Sequence, residues 1–154
     1  LSFAPTRVQS GVANTVITRL LVVMTTADKE DAGTDDKLEL RIVNSDGLLA
    51  VNHVFPDTSQ SDLERAQANL YYVPVNIPFS KIELSATSIR LSILGKDAWL
   101  PAQFFLFGLS EEEGGQPPEF VVPIVHLPTW PLSTLSTGPG EGQETVILPI
   151  WNFF

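Results

Sequence analysis

Apolar and polar residues alternate with period two over much of this chain. Residues 37–43 (KLELRIV) show it most cleanly: Leu38, Leu40 and Ile42 fall on one side, Lys37, Glu39 and Arg41 on the other. Residues 15–24 (TVITRLLVVM) are β-branched and aliphatic, as in a buried strand. Asn44-Ser45-Asp46-Gly47 is a strong turn signal, because Asp-Gly suits positive φ, and 48–55 (LLAVNHVF) reads as the partner strand of a hairpin. Residues 69–75, 81–85, 87–94 and 103–109 supply further short strands. No stretch carries a capped apolar pattern of period 3.6. Short strands at this spacing predict an all-β fold, an antiparallel sandwich or barrel.

The tail has a different texture. Residues 110–118 (SEEEGGQPP) read as an exposed acidic loop. Residues 119–127 and 145–154 could be two more strands, but each holds a proline, which removes a ladder donor and predicts an edge strand or extended arm. The turn-rich linker PTWPLSTLSTGPGEGQ lies between them. The expected organisation is a core domain over 1–109 with 110–154 as an extension packed on it, and no internal repeat.

Length and composition narrow the function. The 154 residues make one domain, and 44% hydrophobic against 18% charged residues is a globular balance. A chain of this size buries about 70% of its unfolded surface, enough for a core without disulfides. The absence of cysteine excludes thiol catalysis and thiolate-bound zinc. No apolar run is long enough to span a membrane as a helix. No signal peptide is visible, and Leu1 rather than Met stands first, as in a processed or excised chain. The net charge of -9 opposes phosphate-tracking nucleic-acid binding. It also opposes simple attraction to anionic lipid, unless a bound divalent cation inverts the local sign.

The densest candidate chemistry is Thr25-Thr-Ala-Asp-Lys-Glu-Asp-Ala-Gly-Thr-Asp-Asp36, in which five acids occupy nine positions. Such a run serves either as a solvated loop or as a hard-cation site. Calcium takes six to eight oxygens, at about 2.3–2.6 Å, from carboxylates, carbonyls and water. Gly33 would let the backbone turn tightly there. Counting from Asp28, Gly33 and Glu39 fall at positions 6 and 12 of a helix-loop-helix calcium loop. Ala32 at position 5 offers no ligand, however, and the flanks are strand-like.

The run Asp31-Ala-Gly-Thr-Asp-Asp36, followed by KLELRIV, resembles the opening of a PLAT (lipoxygenase-homology) domain. Asp62-Leu-Glu-Arg-Ala-Gln67 and the strand after it resemble the family's Phe-Glu-Arg-Gly-Gln-Thr-Asp segment, with Leu63 and Ala66 as the two variant positions. Ser88–Ile93, then Asp97-Ala98-Trp99 and QFFLFGL, resemble its later strand, aromatic loop and closing strand. Order and spacing match across residues 15–109, and the pattern is nearest to members carried by clostridial toxins. The resemblance implies an eight-stranded, non-catalytic β-sandwich of the kind attached to lipoxygenases, lipases or toxins. Several such domains hold calcium in loops at one end and then engage lipid headgroups. It further implies Asp31, the Gly33 carbonyl, Asp97 and the Ala98 carbonyl as ligands. Asp57 and Asp62 would be further ligands, with Thr34 or Asp35.

Trp99 and Leu100 follow Asp97-Ala98 in sequence. They either form an apolar tip that inserts at the bilayer interface, where Trp is favoured, or Trp99 caps the core. Phe105 and Phe107 share a strand face, with core packing as the default. Trp130 and the terminal Trp151-Asn-Phe-Phe154 are expected to cover an apolar patch or to meet a partner domain. His53 and His126 accompany neither a Gly-x-Ser-x-Gly elbow nor a His-Glu-x-x-His motif. No phosphate-cradling glycine loop precedes a helix. The leading expectation is a non-enzymatic, calcium-assisted module that binds a phospholipid membrane surface, extracellular (secreted) or membrane-peripheral. One alternative is a protein-interaction or assembly module of the same fold, with Trp130 and Trp151 on its partner face and calcium only structural. Another is an acidic jelly-roll surface protein of viral or bacterial origin. The first two need Asp31 and Asp97 at one pole of the sandwich if calcium is to be held there.

Overall fold

A computed structural model of the chain describes residues 14–55, 63–110 and 121–151. These residues form eight strands in two four-stranded antiparallel sheets packed face to face as a sandwich. Sheet one has the order β4 (Ala68–Phe79), β1 (Ile17–Thr26), β6 (Pro101–Leu109), β7 (Val121–Leu127). Sheet two has the order β3 (Leu49–Val54), β2 (Leu38–Val43), β5 (Ile89–Ile93), β8 (Thr145–Ile147).

Alternation decides which side chains enter the core. Leu20, Val22 and Met24 of β1 point inward from sheet one, and Leu38, Leu40 and Ile42 of β2 meet them from sheet two, all fully buried. Glu39 and Arg41 point out from β2 and pair at 2.7 Å. The β2–β3 turn forms as its residues dictate. Asn44 Oδ1 accepts the N–H groups of Asp46 and Leu48, each at 3.0 Å, and Gly47 takes φ +76°.

Two expectations change. Residues 81–85 are not a strand: Lys81–Glu83 form a 3-10 helix, and the Glu83 carboxylate accepts the Ser80 N–H at 2.7 Å. This local acceptor competes with strand pairing. The C-terminal segment is also more than an arm laid on a finished domain, because β7 completes sheet one beside β6 and β8 completes sheet two beside β5. Pro123 is tolerated because β7 is an edge strand. Between β7 and β8 the chain crosses one pole. There Leu135 exchanges backbone hydrogen bonds with Trp99 (2.9 and 3.0 Å), and the Thr137 N–H donates to the Gly95 carbonyl.

That pole is where β1, β5 and β7 end and where β2, β4 and β6 begin. The β1–β2 and β5–β6 connections and the turn before β4 therefore converge there.

Candidate cation cleft

The β1–β2 loop is pinned from both sides. The Ala27 N–H donates to the Leu100 carbonyl, the Leu100 N–H to the Ala32 carbonyl, and the Thr34 N–H to the Leu63 carbonyl, all at 3.0–3.1 Å. Ala32 and Thr34 are buried by these contacts, which leaves Asp31 and Asp35 exposed on either side. Asp31 takes φ +59°, a left-handed conformation that Asp tolerates better than most residues.

Asp97, in the β5–β6 connection, is locked to this loop. Its Oδ2 accepts the Asp35 N–H at 2.6 Å, and its carbonyl accepts the Thr34 hydroxyl at 2.6 Å. Its own N–H donates to Asp36 Oδ2 at 2.7 Å. The Asp36 carboxylate lies over Gly95, where an added Cβ would fall 2.1–2.4 Å from its atoms. Glycine there leaves room for that carboxylate, which any Cβ would displace.

The third wall is the turn before β4. Leu63 and Ala66 take φ +63° and +59°, and Arg65 Nε donates to Asp28 Oδ1 at 2.9 Å. Gly33 passes so close that a Cβ there would stand 3.0 Å from the Arg65 nitrogen and the Leu63 carbonyl. Asp31, Leu63 and Ala66 are the only non-glycine residues with positive φ among those described; Asp31 lines this cleft, and Leu63 and Ala66 flank Glu64 and Arg65, which do. Strain gathered at one place is a common mark of a functional site.

The result is an open cleft of about 300 Å³ lined by Asp31, Gly33, Thr34, Asp35, Glu64, Arg65 and Asp97. Five of the residues named from the sequence thus meet at one pole: Asp31, Gly33, Thr34, Asp35 and Asp97. Ala98 follows Asp97 but is not in the lining. Asp57 and Asp62 lie outside the described residues. Glu64 and Arg65 were not singled out as site residues, although both stand within the Asp62–Gln67 segment. A larger open groove of about 510 Å³, along Pro131–Ser133, Gln143 and β8, carries no ionisable side chain. Chemistry rather than volume therefore selects the smaller cleft.

Trp99 corrects one expectation. It is fully buried, and its indole N–H donates to Thr26 Oγ1 at 2.9 Å. The crossing segment at Leu135 closes over it, so Trp99 belongs to the core and cannot insert into a bilayer. Leu100 is half-buried, with both backbone groups bonded to the β1–β2 loop. Trp130 and Trp151 are also engaged internally. Trp130 packs towards Phe104 (ring centroids 6.3 Å apart), and Trp151 stacks on His126 (4.7 Å). His53 and His126 belong to different sheets, each against aromatic rings.

The cleft offers oxygen donors only, from Asp31, Asp35, Glu64 and Asp97 and from loop carbonyls. That donor set suits calcium and does not suit zinc or copper. Among the described residues no three His, Asp or Glu side chains are grouped to hold an ion by themselves, so carbonyls and water must complete any shell.

No protein-family model and no curated protein matches the chain. Solved structures do. The alpha toxin from Clostridium absonum aligns at 16% identity with a TM-score of 0.55, over 81% of this chain and 32% of its own. A lipoxygenase in complex with arachidonate aligns at 17% identity with a TM-score of 0.55, over 87% of this chain and 16% of its own. A coral 8R-lipoxygenase, described as calcium-activated via a C2-like domain, aligns at 16% identity with a TM-score of 0.51, over 86% and 17%. The chain thus spans about a third of the toxin and a sixth of the lipoxygenases. At these identities the likeness is one of fold, a PLAT-type β-sandwich.

Proposed function

We propose that this chain is a non-catalytic module that uses calcium to bind a phospholipid surface. The observation that carries the reading is the set of reciprocal hydrogen bonds tying Asp97 to Thr34, Asp35 and Asp36. It joins acidic loops some sixty residues apart into one preformed rim. Calcium would be held by Asp31, the Gly33 carbonyl, Asp97 and the Ala98 carbonyl, with Thr34 or Asp35, and with Asp57 and Asp62 from the neighbouring segment. When bound, the ion supplies positive charge and open coordination positions for phosphate oxygens. The chain's own residues set the rim, and Arg65, held by Asp28, adds a second cation beside it. A pole that engages headgroups makes the module peripheral. No helix among the described residues is long and apolar enough to cross a membrane. The calcium activation ascribed to the coral enzyme's C2-like domain supports the same reading.

Calcium titration followed by thermal unfolding tests it. At about a hundred times its dissociation constant, the ion should stabilise the fold by about 2.7 kcal/mol and raise the melting temperature by several degrees. Calcium should also drive co-sedimentation with phosphatidylserine–phosphatidylcholine vesicles. Asp31→Ala and Asp97→Asn should remove both effects. An unmutated chain that ignores calcium in both assays would overturn the reading.

A further inference from the structure

The β2–β3 turn stands at the pole opposite the cleft, and it carries reactive chemistry of its own. The side-chain carbonyl carbon of an aspartate or asparagine is open to attack by the backbone nitrogen of the next residue, which closes a five-membered imide. A small next residue favours the attack, because a β-carbon hinders the approach. Asn44-Ser45 and Asp46-Gly47 are therefore both candidates. Asp46-Gly47 is the sole Asp-Gly pair of the chain, which has no Asn-Gly.

The fold treats the two pairs differently. Asn44 is only 9% exposed, and its Oδ1 accepts the N–H groups of Asp46 and Leu48, each at 3.0 Å. Swinging that side chain onto the Ser45 nitrogen would break both bonds and strand a buried amide. Asp46 is exposed, as are Ser45, Gly47 and Leu48. Among the described residues no ion pair holds its carboxylate. Beyond the chain neighbours, no atom lies within 4 Å of where a Gly47 Cβ would stand, so there is room for the ring to close. The Gly47 nitrogen is restrained by one bond, its N–H to the Asn44 carbonyl at 3.0 Å, in an exposed turn that can open locally. We infer that Asp46 is a site of spontaneous isomerisation to isoaspartate, and that the neighbouring Asn44 is protected.

The step needs nothing but water. With the turn open, the Gly47 nitrogen bonds to Asp46 Cγ and gives up its proton, and one oxygen of the protonated carboxyl leaves as water. Water then opens the imide at either carbonyl. Addition at Cγ restores aspartate. Addition at the main-chain carbonyl breaks its bond to the Gly47 nitrogen, so the chain now runs through Cβ and Cγ and the α-carboxylate hangs free. Mass and charge are unchanged, but the turn is longer by one methylene. The bond from the Gly47 N–H to the Asn44 carbonyl then loses its present geometry.

The test ages the folded full chain in oxygen-18 water at neutral pH and physiological temperature, then digests it briefly in ordinary water. The peptide that spans Asp46 should gain one heavy oxygen and become an acceptor for isoaspartyl carboxyl methyltransferase with labelled S-adenosylmethionine. Asn44 should keep its amide. Asp46→Glu, which would have to close a six-membered ring, should lose the label. Asn44→Ala removes the acceptor of two turn N–H groups and should speed labelling by about five-fold or more. Circular dichroism confirms that each variant is folded. No label at Asp46, equal label at Asp35 and Asp97, deamidation of Asn44 in its place, or a rate indifferent to Asn44→Ala would each overturn the inference. Calcium plays no part in it, so it stands or falls apart from the reading of the cleft.

Discussion

Ala66 takes φ +59°, a conformation that costs an alanine about 1 kcal/mol and a glycine almost nothing. The family segment it resembles carries glycine at that position, so the geometry accounts for the pattern and this chain departs from it. Ala66→Gly is expected to stabilise the fold by about 1 kcal/mol, seen as a rise of about 2–4 °C in melting temperature. His53 is half-buried on an edge strand with its ring against Phe55, and desolvation lowers its pKa below 6.5. The unfolded chain then binds the proton more readily than the folded one. The resulting stability is fully present above about pH 6.5 and is lost as pH falls through the folded pKa. His53→Gln should flatten the melting-temperature profile in the window just below pH 6.5. At this scale the family resemblance pointed to Asp31 and Asp97, which the fold brings to one cleft, whereas of the two readings of Trp99 the apolar tip gives way to the core cap. A Trp that follows Asp97-Ala98 and precedes Leu100 reads equally well as a tip or a plug. Only the crossing segment at Leu135, distant in sequence, buries it.

Among the elements, strands with clean alternation were legible, and β2 matches its expected faces side chain for side chain. The stretch 81–85 was not, because KIELS alternates while the decisive contact is the Glu83 carboxylate on the Ser80 N–H. Lys81, which alternation alone would send to solvent, is buried. It donates to the Trp151 carbonyl and lies 5.9 Å from that residue's ring, and burial lowers its pKa. Such a tether between distant segments has no local signature. The β5–β6 connection is the element on which the cleft depends. Gly95→Ala should push the Asp36 carboxylate from its place and release the Asp97 N–H. Its expected signature is a calcium-induced rise in melting temperature that shrinks more than metal-free stability does. An equal loss in both would mean that Gly95 serves packing alone.

At the scale of the whole molecule, two sandwiched sheets followed from period-two patterning, whereas their completion by the tail did not. Prolines in β7 and after β8 left edge strand and arm both open, and the sheets take both segments as edge strands. The meeting of the three acidic loops was likewise beyond spacing. It came from the family resemblance, and the fold supplies the reason: three connections open onto one pole. Glu64 and Arg65 escaped notice because the left-handed backbone at Leu63 and Ala66, rather than any motif chemistry, turns them toward the cleft.

The four strands of sheet one contain no aspartate or glutamate, and that flank bears on how the protein behaves at high concentration. A net charge of -9 makes copies repel in neutral solution, and that colloidal repulsion keeps greasy flanks apart. Acidification towards the isoelectric point near 4.5 lowers the net charge, weakens the repulsion and leaves the exposed Leu70 and Tyr72 to meet their counterparts. Light scattering on a descending pH series should show clustering well before far-ultraviolet dichroism changes. Tyr72→Lys should move its onset to lower pH.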